Sequence, residues 1–303
     1  MLSRSTEIYA THGVPIPCDI YTDADYAPDA PVFLYFHPGG LKWPLISADF
    51  RQMPQVGQQG LLEDARAAYD FARTWEAKEG EERHVIVGGA SGGFFIASLI
   101  AHHAQPPPTA LFSICGIATF RHPFFNSSKL NYVDGFDDVD MTQFIDMPLW
   151  LGQTPVNSPT SFEVGRLLPN GLKNTDFQQL EEEFRTKPHR GTLYEYYIYK
   201  NAWLNLVGDI DPGYEWARKP ENAARVEEWP PTVIFHGDND PDVPLGVSRL
   251  VQEGLGEDKV RIVVAEGLAH LFELMSYLEE DKPGMEVVRE ALKCLDEIVE
   301  GSK

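Results

Sequence analysis

A serine between two pairs of glycines is the first residue of this sequence that could do chemistry. Ser91 lies in VIVGGASGGFF, directly after a β-branched run. A dinucleotide-binding loop would need glycine where Ala90 stands, and a P-loop would need lysine where Phe94 stands. The stretch instead matches Gly-x-Ser-x-Gly, in which a nucleophilic serine occupies a sharp turn between strand and helix. Glycine-rich bends also occur for packing reasons alone. Whether Ser91 is a nucleophile therefore depends on the presence of a base, an acid and oxyanion donors elsewhere in the sequence.

The first companion is a histidine, which removes the serine proton and is itself oriented by an acid. His270 follows the run RIVVAEG, where a loop can present its imidazole at the carboxyl edge of a sheet. We predict His270 as the base. His37 and His236 end strands beside glycine, which favours hydrogen bonds to loop backbone, and His102 and His103 lie on an apolar helix.

The acid is expected in the loop HGDNDPDVP, which follows the preceding strand and offers Asp238, Asp240 and Asp242. Asp240 is preferred, because Pro241 follows it and Val243-Pro244 turns the chain away from the strand end. The other two carboxylates can be solvated loop residues. The chain order is then serine, acid, histidine.

Attack on a carbonyl also needs hydrogen-bond donors for the oxygen that becomes negative. The stretch FHPGGLKW ends another predicted strand, and the backbone N–H groups of Gly39 and Gly40 can converge there with that of Gly92. Pro38 has no N–H to offer. We predict Gly39, Gly40 and Gly92 as the oxyanion donors.

Such residues must be positioned by a sheet, and the pattern predicts one. Short β-branched runs alternate with longer helical patterns, which is typical of an α/β fold with a mainly parallel, twisted sheet and crossover helices. A hairpin is predicted over EIYATHGVPIPCDIYTD. Core strands are predicted in the later runs PVFLYFHPGG, PLISADFR, HVIVGGA, ALFSICGI, PTVIFHGD and RIVVAEG.

Helices are predicted on both sides of the serine strand. After Ser91, GGFFIASLIAHHA carries no charged residue other than its histidines, so this helix should be deeply buried. Before the strand, apolar residues recur at helical spacing, and Gly80 is placed to end that helix. The residues of this stripe are Leu61, Leu62, Ala65, Ala68, Tyr69, Ala72 and Trp75.

Residues 119–216 break the alternation of strands and helices. They are rich in Phe, Tyr, Trp, Asn and Pro, and they include the aromatic run LYEYYIYKNAWLNL. Long insertions of this kind in α/β proteins are commonly lids or binding loops. We predict a core formed by residues 1–118 and 217–303, with 119–216 inserted as a cap.

Composition narrows the class of protein. The 303 residues are 43% hydrophobic, which is enough for one large core. A formal net charge of -21 argues against nucleic acid as a partner, and no stretch approaches the ~20 apolar residues of a membrane-spanning helix. The three cysteines form no CxxC pair, which argues against a zinc site or a disulfide framework. With no segment typical of a secretory signal, we expect a cytoplasmic protein.

Taken together, these stretches resemble the α/β-hydrolase fold and, within it, the branch similar to hormone-sensitive lipase, also called the fold-3 carboxylesterases. Residues 37–40 stand where that branch has His-Gly-Gly-Gly, with Pro38 in place of one glycine. Ala90 replaces an aspartate that is common before the nucleophile. The acid and base loops are similar to HGxxDxxVP and GxxHxF. Residues 47–51 match Ser-x-Asp-Tyr-Arg, with Phe50 at the tyrosine, and we interpret them as structural.

The resemblance implies a carboxylic ester hydrolase of the serine esterase or lactonase type. Ser91, Asp240 and His270 would form the triad and pass through an acyl-enzyme, with no metal and no organic cofactor. Members of the branch act on aryl esters, lactones and biosynthetic intermediates. The resemblance therefore implies that this protein acts in the biosynthesis of a secondary metabolite. The oligomeric state stays open, a homodimer included.

The substrate is expected to be an apolar or aromatic small molecule, because the predicted cap is rich in aromatic residues. The predicted pocket residues are Trp43, Phe124, Phe125, Trp150 and Tyr197. Other reactions keep the same triad, namely those of an aryl formamidase or amidase, a biosynthetic cyclase and a carbon-carbon bond hydrolase. A non-catalytic small-molecule receptor is a further alternative, which the presence of His270 argues against.

Overall fold

Eight strands form one sheet in the described part of the chain. The computed structural model describes residues 3–27, 29–36, 43–127, 138–148, 190–274, 276 and 278–302. The strands are β1 (Ser3–Thr11), β2 (Pro15–Thr22), β3 (Val32–Phe36), β4 (Leu45–Ala48), β5 (Val85–Ala90), β6 (Ala110–Ile114), β7 (Thr232–Gly237) and β8 (Val260–Ala265). The hairpin and all the predicted core strands are therefore confirmed.

The strand order is β1-β2-β4-β3-β5-β6-β7-β8. Strand β2 runs antiparallel to both of its neighbours, and every other neighbouring pair is parallel. The mainly parallel sheet predicted from the sequence is confirmed. Because parallel strands end at the same edge, the residues that follow β5, β7 and β8 meet there.

From β4 onward, helices lie between successive strands, and a last helix follows β8. They are α1 (Gly57–Thr74), α2 (Gly92–His103), α3 (Asp138–Ile145), α4 (Leu193–Tyr199), α5 (Trp203–Val207), α6 (Ala223–Glu227), α7 (Leu245–Leu255) and α8 (Met285–Gly301). Among the residues that the structure describes, none of these helices is long and apolar enough to cross a membrane.

Strand β3 shows why the sheet needs helices on both faces. All of its side chains are buried, and they alternate between two hydrophobic cores. Leu34 and Phe36 pack in the core that contains α1 and α2, whereas Phe33 and Tyr35 pack in the core that contains α8. Burial on both faces explains the continuous apolar runs in the sequence.

Helix α1 carries the predicted apolar stripe, and every residue of that stripe is buried. The prediction that Gly80 ends this helix is wrong. The helix ends at Thr74, because Trp75 takes an extended ψ of 119° and Glu76 has a left-handed φ of 47°. Trp75 thereby turns its indole into the core, where it is 8% exposed. Gly80 lies in the following turn, with a φ of +81°.

A buried ion pair ties the segment 47–51 to α1. The guanidinium of Arg51 donates to Asp64, with Nη2 2.6 Å from Oδ1, and Asp64 is fully buried. His12, in the turn of the β1–β2 hairpin, lies 2.7 Å from the same oxygen through its Nδ1 atom. These contacts fit the structural interpretation of residues 47–51, because they join the hairpin to the helix.

Within residues 119–216, the described helices α3, α4 and α5 have a small core of their own. Met141, Leu193, Tyr196 and Tyr197 are buried together there. At the base of this region, Oγ1 of Thr119 donates to the Asp211 carboxylate over 2.9 Å, so the two ends of the segment lie side by side. The cap boundaries at 118/119 and 216/217 stay predictions.

Candidate active site

Ser91 occupies the turn between β5 and α2. Its backbone has φ 50° and ψ -127°, a conformation that is strained for a residue with a side chain. The turn is held by hydrogen bonds, since Ser91 N–H donates to the carbonyl of Ile114 over 3.0 Å and Ile117 N–H donates to the carbonyl of Ser91 over 2.9 Å. The side chain is half-buried at the carboxyl edge of the sheet.

Close packing of α2 on the sheet explains the glycine after the turn. A Cβ atom on Gly93 would lie 2.0 Å from the carbonyl oxygen of Phe36, at the end of β3. Only glycine allows the helix to start this close to the neighbouring strand. The helix that follows is apolar on all sides and is buried from Gly93 to Ile100, as predicted.

His270 and Asp240 lie beside Ser91. Nε2 of His270 is 3.0 Å from Oγ of Ser91, and Nδ1 of His270 is 2.7 Å from Oδ2 of Asp240. The Asp240 side chain is 0% exposed and the His270 side chain is 14% exposed. The structure thus brings together the three residues that the sequence singled out, at hydrogen-bonding distances for a serine, a base and an acid.

The Asp240 carboxylate is held on both oxygens. Its Oδ1 atom accepts the backbone N–H groups of Asp242 over 2.9 Å and Val243 over 2.8 Å. Burial raises the pKa of Asp240, but hydrogen bonds from His236, His270 and Val243 outweigh it and hold the pKa to about 2. The group is therefore an anion at neutral pH.

The loops that carry Asp240 and His270 are joined to each other. Asp238 accepts the N–H of Gly267 on Oδ1 over 2.6 Å, and Asn239 N–H donates to the carbonyl of Leu268 over 3.1 Å. A Cβ atom on Gly237 would lie 2.2 Å from that same carbonyl oxygen, so glycine is required where the loops cross. Asp238 is thereby a structural residue of the loop.

The other candidate histidines and acids lie elsewhere or do other work. Nε2 of His236 is 2.7 Å from the carbonyl oxygen of Val243, which confirms the predicted bond to loop backbone. His102 and His103 lie at the far end of α2. The exposed Asp242 comes near the imidazole, with a carboxylate oxygen within 4.8 Å of a His270 nitrogen. His37 lies outside the described residues.

Of the predicted oxyanion donors, the structure describes Gly92 alone; Gly39 and Gly40 lie outside the described residues. Gly92 is the first residue of α2 and is exposed. The N–H groups in the first turn of a helix have no hydrogen-bond partner within the helix. The Gly92 N–H is therefore not part of the helical hydrogen-bond pattern and points out of the N-terminal end of α2.

Three of the predicted pocket residues, Phe124, Phe125 and Tyr197, lie in aromatic clusters. Phe125 is fully buried, with its ring centroid 5.0 Å from that of Phe120, and the partly buried Phe124 packs 5.2 Å from Phe125. Tyr197 is buried 5.5 Å from the ring of Trp203. Trp43 is partly buried against the core that contains α8. Trp150 lies outside the described residues, and the lining of a pocket stays a prediction.

Three groups of possible metal ligands occur in the described part of the chain, and each is otherwise engaged. Cys115, His236 and Asp240 lie together, but Nε2 of His236 also lies 2.7 Å from the carbonyl oxygen of Val243. In the group of His12, Glu63 and Asp64, Arg51 neutralises Asp64. The third group consists of His270, Asp240 and Asp242.

Two polar residues near Asp240 were not singled out from the sequence. The buried Ser248 on α7 lies 2.8 Å from Nδ1 of His236 through its Oγ atom. Glu273 comes shortly after His270 in the sequence, and its Oε2 atom is buried. Burial raises the pKa of this carboxyl. Neither residue has a sequence signal, because each approaches the site only through the fold.

Comparisons with known proteins agree with this architecture. No protein-family model and no curated protein sequence matches the chain. An α/β-hydrolase superfamily protein from Enterococcus faecalis is similar over 98% of this chain and 99% of its own, with a TM-score of 0.61 at 12% identity. Carboxyl esterase 2 from Tuber melanosporum is similar over 95% and 84%, with a TM-score of 0.53 at 15% identity.

A thermostable esterase from Pseudomonas putida is also similar, over 96% of this chain and 81% of its own, with a TM-score of 0.55 at 14% identity. At these identities the likeness is one of fold. The sheet order, the sharp turn at Ser91 and these solved structures identify the architecture, and the chain has the α/β-hydrolase fold.

Proposed function

We propose that this protein is a serine hydrolase that cleaves an ester, lactone or related acyl bond of an apolar or aromatic small molecule. The observation that carries the proposal is the continuous chain of contacts from Ser91 Oγ through His270 to Asp240, at 3.0 Å and 2.7 Å. A purely structural serine in a glycine-rich bend would not need a histidine and a buried carboxylate in line behind it.

In the proposed reaction, Oγ of Ser91 attacks the carbonyl carbon while Nε2 of His270 takes its proton. Asp240, an anion at neutral pH, accepts the Nδ1 proton of His270 in a hydrogen bond and stabilises the imidazolium that forms. Its location on the buried side of the ring also fixes which nitrogen faces the serine. The three side chains thus have separate roles as nucleophile, base and orienting acid.

The negative charge that develops on the substrate oxygen is assigned to backbone donors. Gly92 N–H stands at the free N-terminal end of α2, where the helix dipole also favours a negative charge. Gly39 and Gly40, from the loop after β3, complete the proposed oxyanion hole. Removal of one such donor commonly costs about 3 to 4 kcal/mol of transition-state stabilisation.

The second half of the reaction returns the enzyme to its starting state. Collapse of the tetrahedral intermediate breaks the bond to the leaving alcohol, which takes the proton from His270 and leaves an acyl group on Ser91. Water then attacks the carbonyl carbon of the acyl-enzyme while His270 takes a proton from the water. The carboxylic acid product leaves, and His270 returns the proton to Oγ of Ser91. No group outside this chain other than water is required.

The remaining parts of the proposal concern the substrate and the setting. Residues 119–216 are proposed as the cap, with Trp43, Phe124, Phe125, Trp150 and Tyr197 as substrate-contacting residues. Aromatic clustering of the described members of this set supports an apolar partner. A cytoplasmic enzyme of secondary metabolism is part of the proposal, and the three buried, unpaired cysteines suit a reducing compartment.

Steady-state turnover of aryl esters of increasing acyl length tests this function. Wild type should hydrolyse part of the series, and Ser91→Ala and His270→Ala should each lower kcat by at least about 1,000-fold. The matched control is Ser98→Ala, since Ser98 lies on the same helix but bonds the carbonyls of Phe95 and Ala118. This control should keep wild-type turnover.

The same assay distinguishes the other reactions. Matched aryl formamides should be slower than the esters, and the opposite ranking would replace the esterase with an aryl formamidase. A folded wild type that turns over no member of either series, while Ser91→Ala still binds aromatic ligands, would contradict catalysis and favour a receptor.

A further inference from the structure

Asp240 faces a second histidine besides His270. His236 belongs to β7 and is fully buried, and its Nε2 atom lies 3.2 Å from Oδ2 of Asp240. This is the same carboxylate oxygen that lies 2.7 Å from Nδ1 of His270. One oxygen of the acid is therefore placed between two imidazole rings.

The surroundings of His236 determine which of its nitrogens carries the proton. Its Nε2 atom lies 2.7 Å from the carbonyl oxygen of Val243 and near the Asp240 carboxylate, both of which can only accept. Its Nδ1 atom lies 2.8 Å from Oγ of Ser248, a hydroxyl that can donate. The neutral ring protonated on Nε2 satisfies all of these groups at once.

This arrangement closes the loop that carries the acid. Val243 donates its N–H to Oδ1 of Asp240 over 2.8 Å and accepts the His236 N–H on its carbonyl oxygen. The ring of His236 is thus fixed at both nitrogens, and it presents the positive end of an N–H dipole to Oδ2. Rotation of the Asp240 carboxylate away from His270 would separate it from that dipole.

The third neighbour of Asp240 in this cluster is a neutral group. The Cys115 Sγ atom lies within 4.8 Å of a His236 nitrogen and of an Asp240 oxygen. Burial raises the pKa of the Cys115 thiol to about 12, so the thiol stays protonated at neutral pH. The polar support on this side of Asp240 therefore comes from His236.

We infer that His236 is a positioning residue that holds Asp240 in line with His270, and that Ser248 fixes the His236 tautomer required for this. The inference rests on the proposed function, since it assigns a partner to the acid of that site. The contacts run from Ser248 through His236, Asp240 and His270 to Ser91. His236 keeps its proton throughout and takes no part in proton transfer.

Three variants test this role with an aryl ester that wild type hydrolyses. His236→Leu removes both ring contacts and should lower kcat about 100-fold, the scale of a small misplacement of a catalytic group, with KM little changed. His236→Gln can still donate near the former Nε2 position and should recover much of that loss. Ser248→Ala should lower kcat less than His236→Leu does.

The matched control is His103→Gln. Nε2 of His103 also lies 2.7 Å from a backbone carbonyl oxygen, that of Ile210, but at the far end of α2 from Ser91. If His236 served folding alone, the substitutions at His236 and at His103 would each lower the unfolding midpoint and leave the kcat of the folded protein unchanged. A positioning role predicts that kcat falls in the His236 variants and not in His103→Gln.

A measurement on wild type keeps the test valid if His236→Leu does not fold. Nitrogen-15 NMR of histidine-labelled protein reports the tautomer of each ring, and His236 should be protonated on Nε2 and unprotonated on Nδ1. The opposite tautomer, or wild-type kcat in a folded His236→Leu, would overturn the inference. Failure of wild type to hydrolyse any ester would instead overturn the proposed function.

Discussion

A Cβ atom on Gly89 would lie 2.3 Å from the carbonyl carbon of Gly93, because the end of β5 and the start of α2 fold back on each other around Ser91. The clash is with backbone, which cannot move aside as a flexible side chain can. The spacing of two residues on either side of the serine is therefore a steric requirement of the turn. It explains why the pattern can be recognised in the sequence.

This relationship predicts a large loss of stability for Gly89→Ala. Overpacking against backbone should lower the free energy of unfolding by about 3 kcal/mol. The control is Gly92→Ala, since a Cβ atom on Gly92 would meet none of the described residues within 4 Å and the change should stay within about 1 kcal/mol. Urea unfolding measures both, and equal effects at the two positions would contradict the packing described.

Asp240→Asn should remove most of the activity without unfolding the protein. An amide in place of the carboxylate favours the wrong imidazole tautomer of His270, for which a loss of about 10,000-fold in kcat is expected. Asp238→Asn is the matched control, because Asp238 accepts the N–H of Gly267 and bonds no triad residue in the part of the chain that the structure describes. Near-normal kcat in Asp240→Asn would remove this residue from the mechanism.

Glu273→Gln should stabilise the protein in a pH-dependent way. Oε2 of Glu273 is buried and has no hydrogen-bond partner in the described part of the chain, and burial raises the pKa of this carboxyl. The pKa of this carboxyl is therefore higher in the folded state than in the unfolded state. Because of this difference, the folded state loses stability as pH rises toward and through the folded-state pKa. The gain in the free energy of unfolding should be present at pH 8 and absent below pH about 4, where both states are protonated.

The control for this prediction is Glu266→Gln, since Glu266 is exposed on the loop after β8. It should leave the unfolding curves unchanged at both pH values. A Glu273→Gln gain that is independent of pH would show that the side chain acts through packing and not through its charge.

Asp211→Ala should weaken the base of the proposed cap. The Asp211 carboxylate accepts from Thr119 Oγ1 over 2.9 Å and from the N–H groups of Phe120 over 2.8 Å and Gly213 over 3.0 Å. Loss of these buried bonds should lower the free energy of unfolding by about 3 kcal/mol. Asp209→Ala, at an exposed position two residues earlier, should have little effect.

Local patterns explain why so much of the site could be predicted. Ser91, Asp240 and His270 each follow a strand that is evident from its own β-branched run, and parallel strands end at one edge. The prediction therefore needed only the order of three loops. The glycines around Ser91 added a steric signal that depends on neighbours in sequence.

Features that depend on distant contacts could not be predicted. Asp64 lies within the apolar stripe of α1 and is fully buried, because Arg51 reaches it from a separate segment. The helix α1 ends at Thr74 because the Trp75 side chain packs into the core, a contact that the local sequence does not reveal. The turn that contains Gly80 comes several residues later. His236 was predicted to bond loop backbone, but its contact with Ser248 depends on the packing of α7 against β7.

The most direct test of the central claim, that Ser91 is an activated nucleophile, is intact mass after exposure to a small fluorophosphonate. Wild type should gain the mass of one adduct, which peptide mapping should place on Ser91. The adduct should be absent from Ser91→Ala and should form more slowly in His270→Ala. An unmodified but folded wild type, or an adduct on any other residue, would contradict the assignment of Ser91, His270 and Asp240 as a catalytic triad.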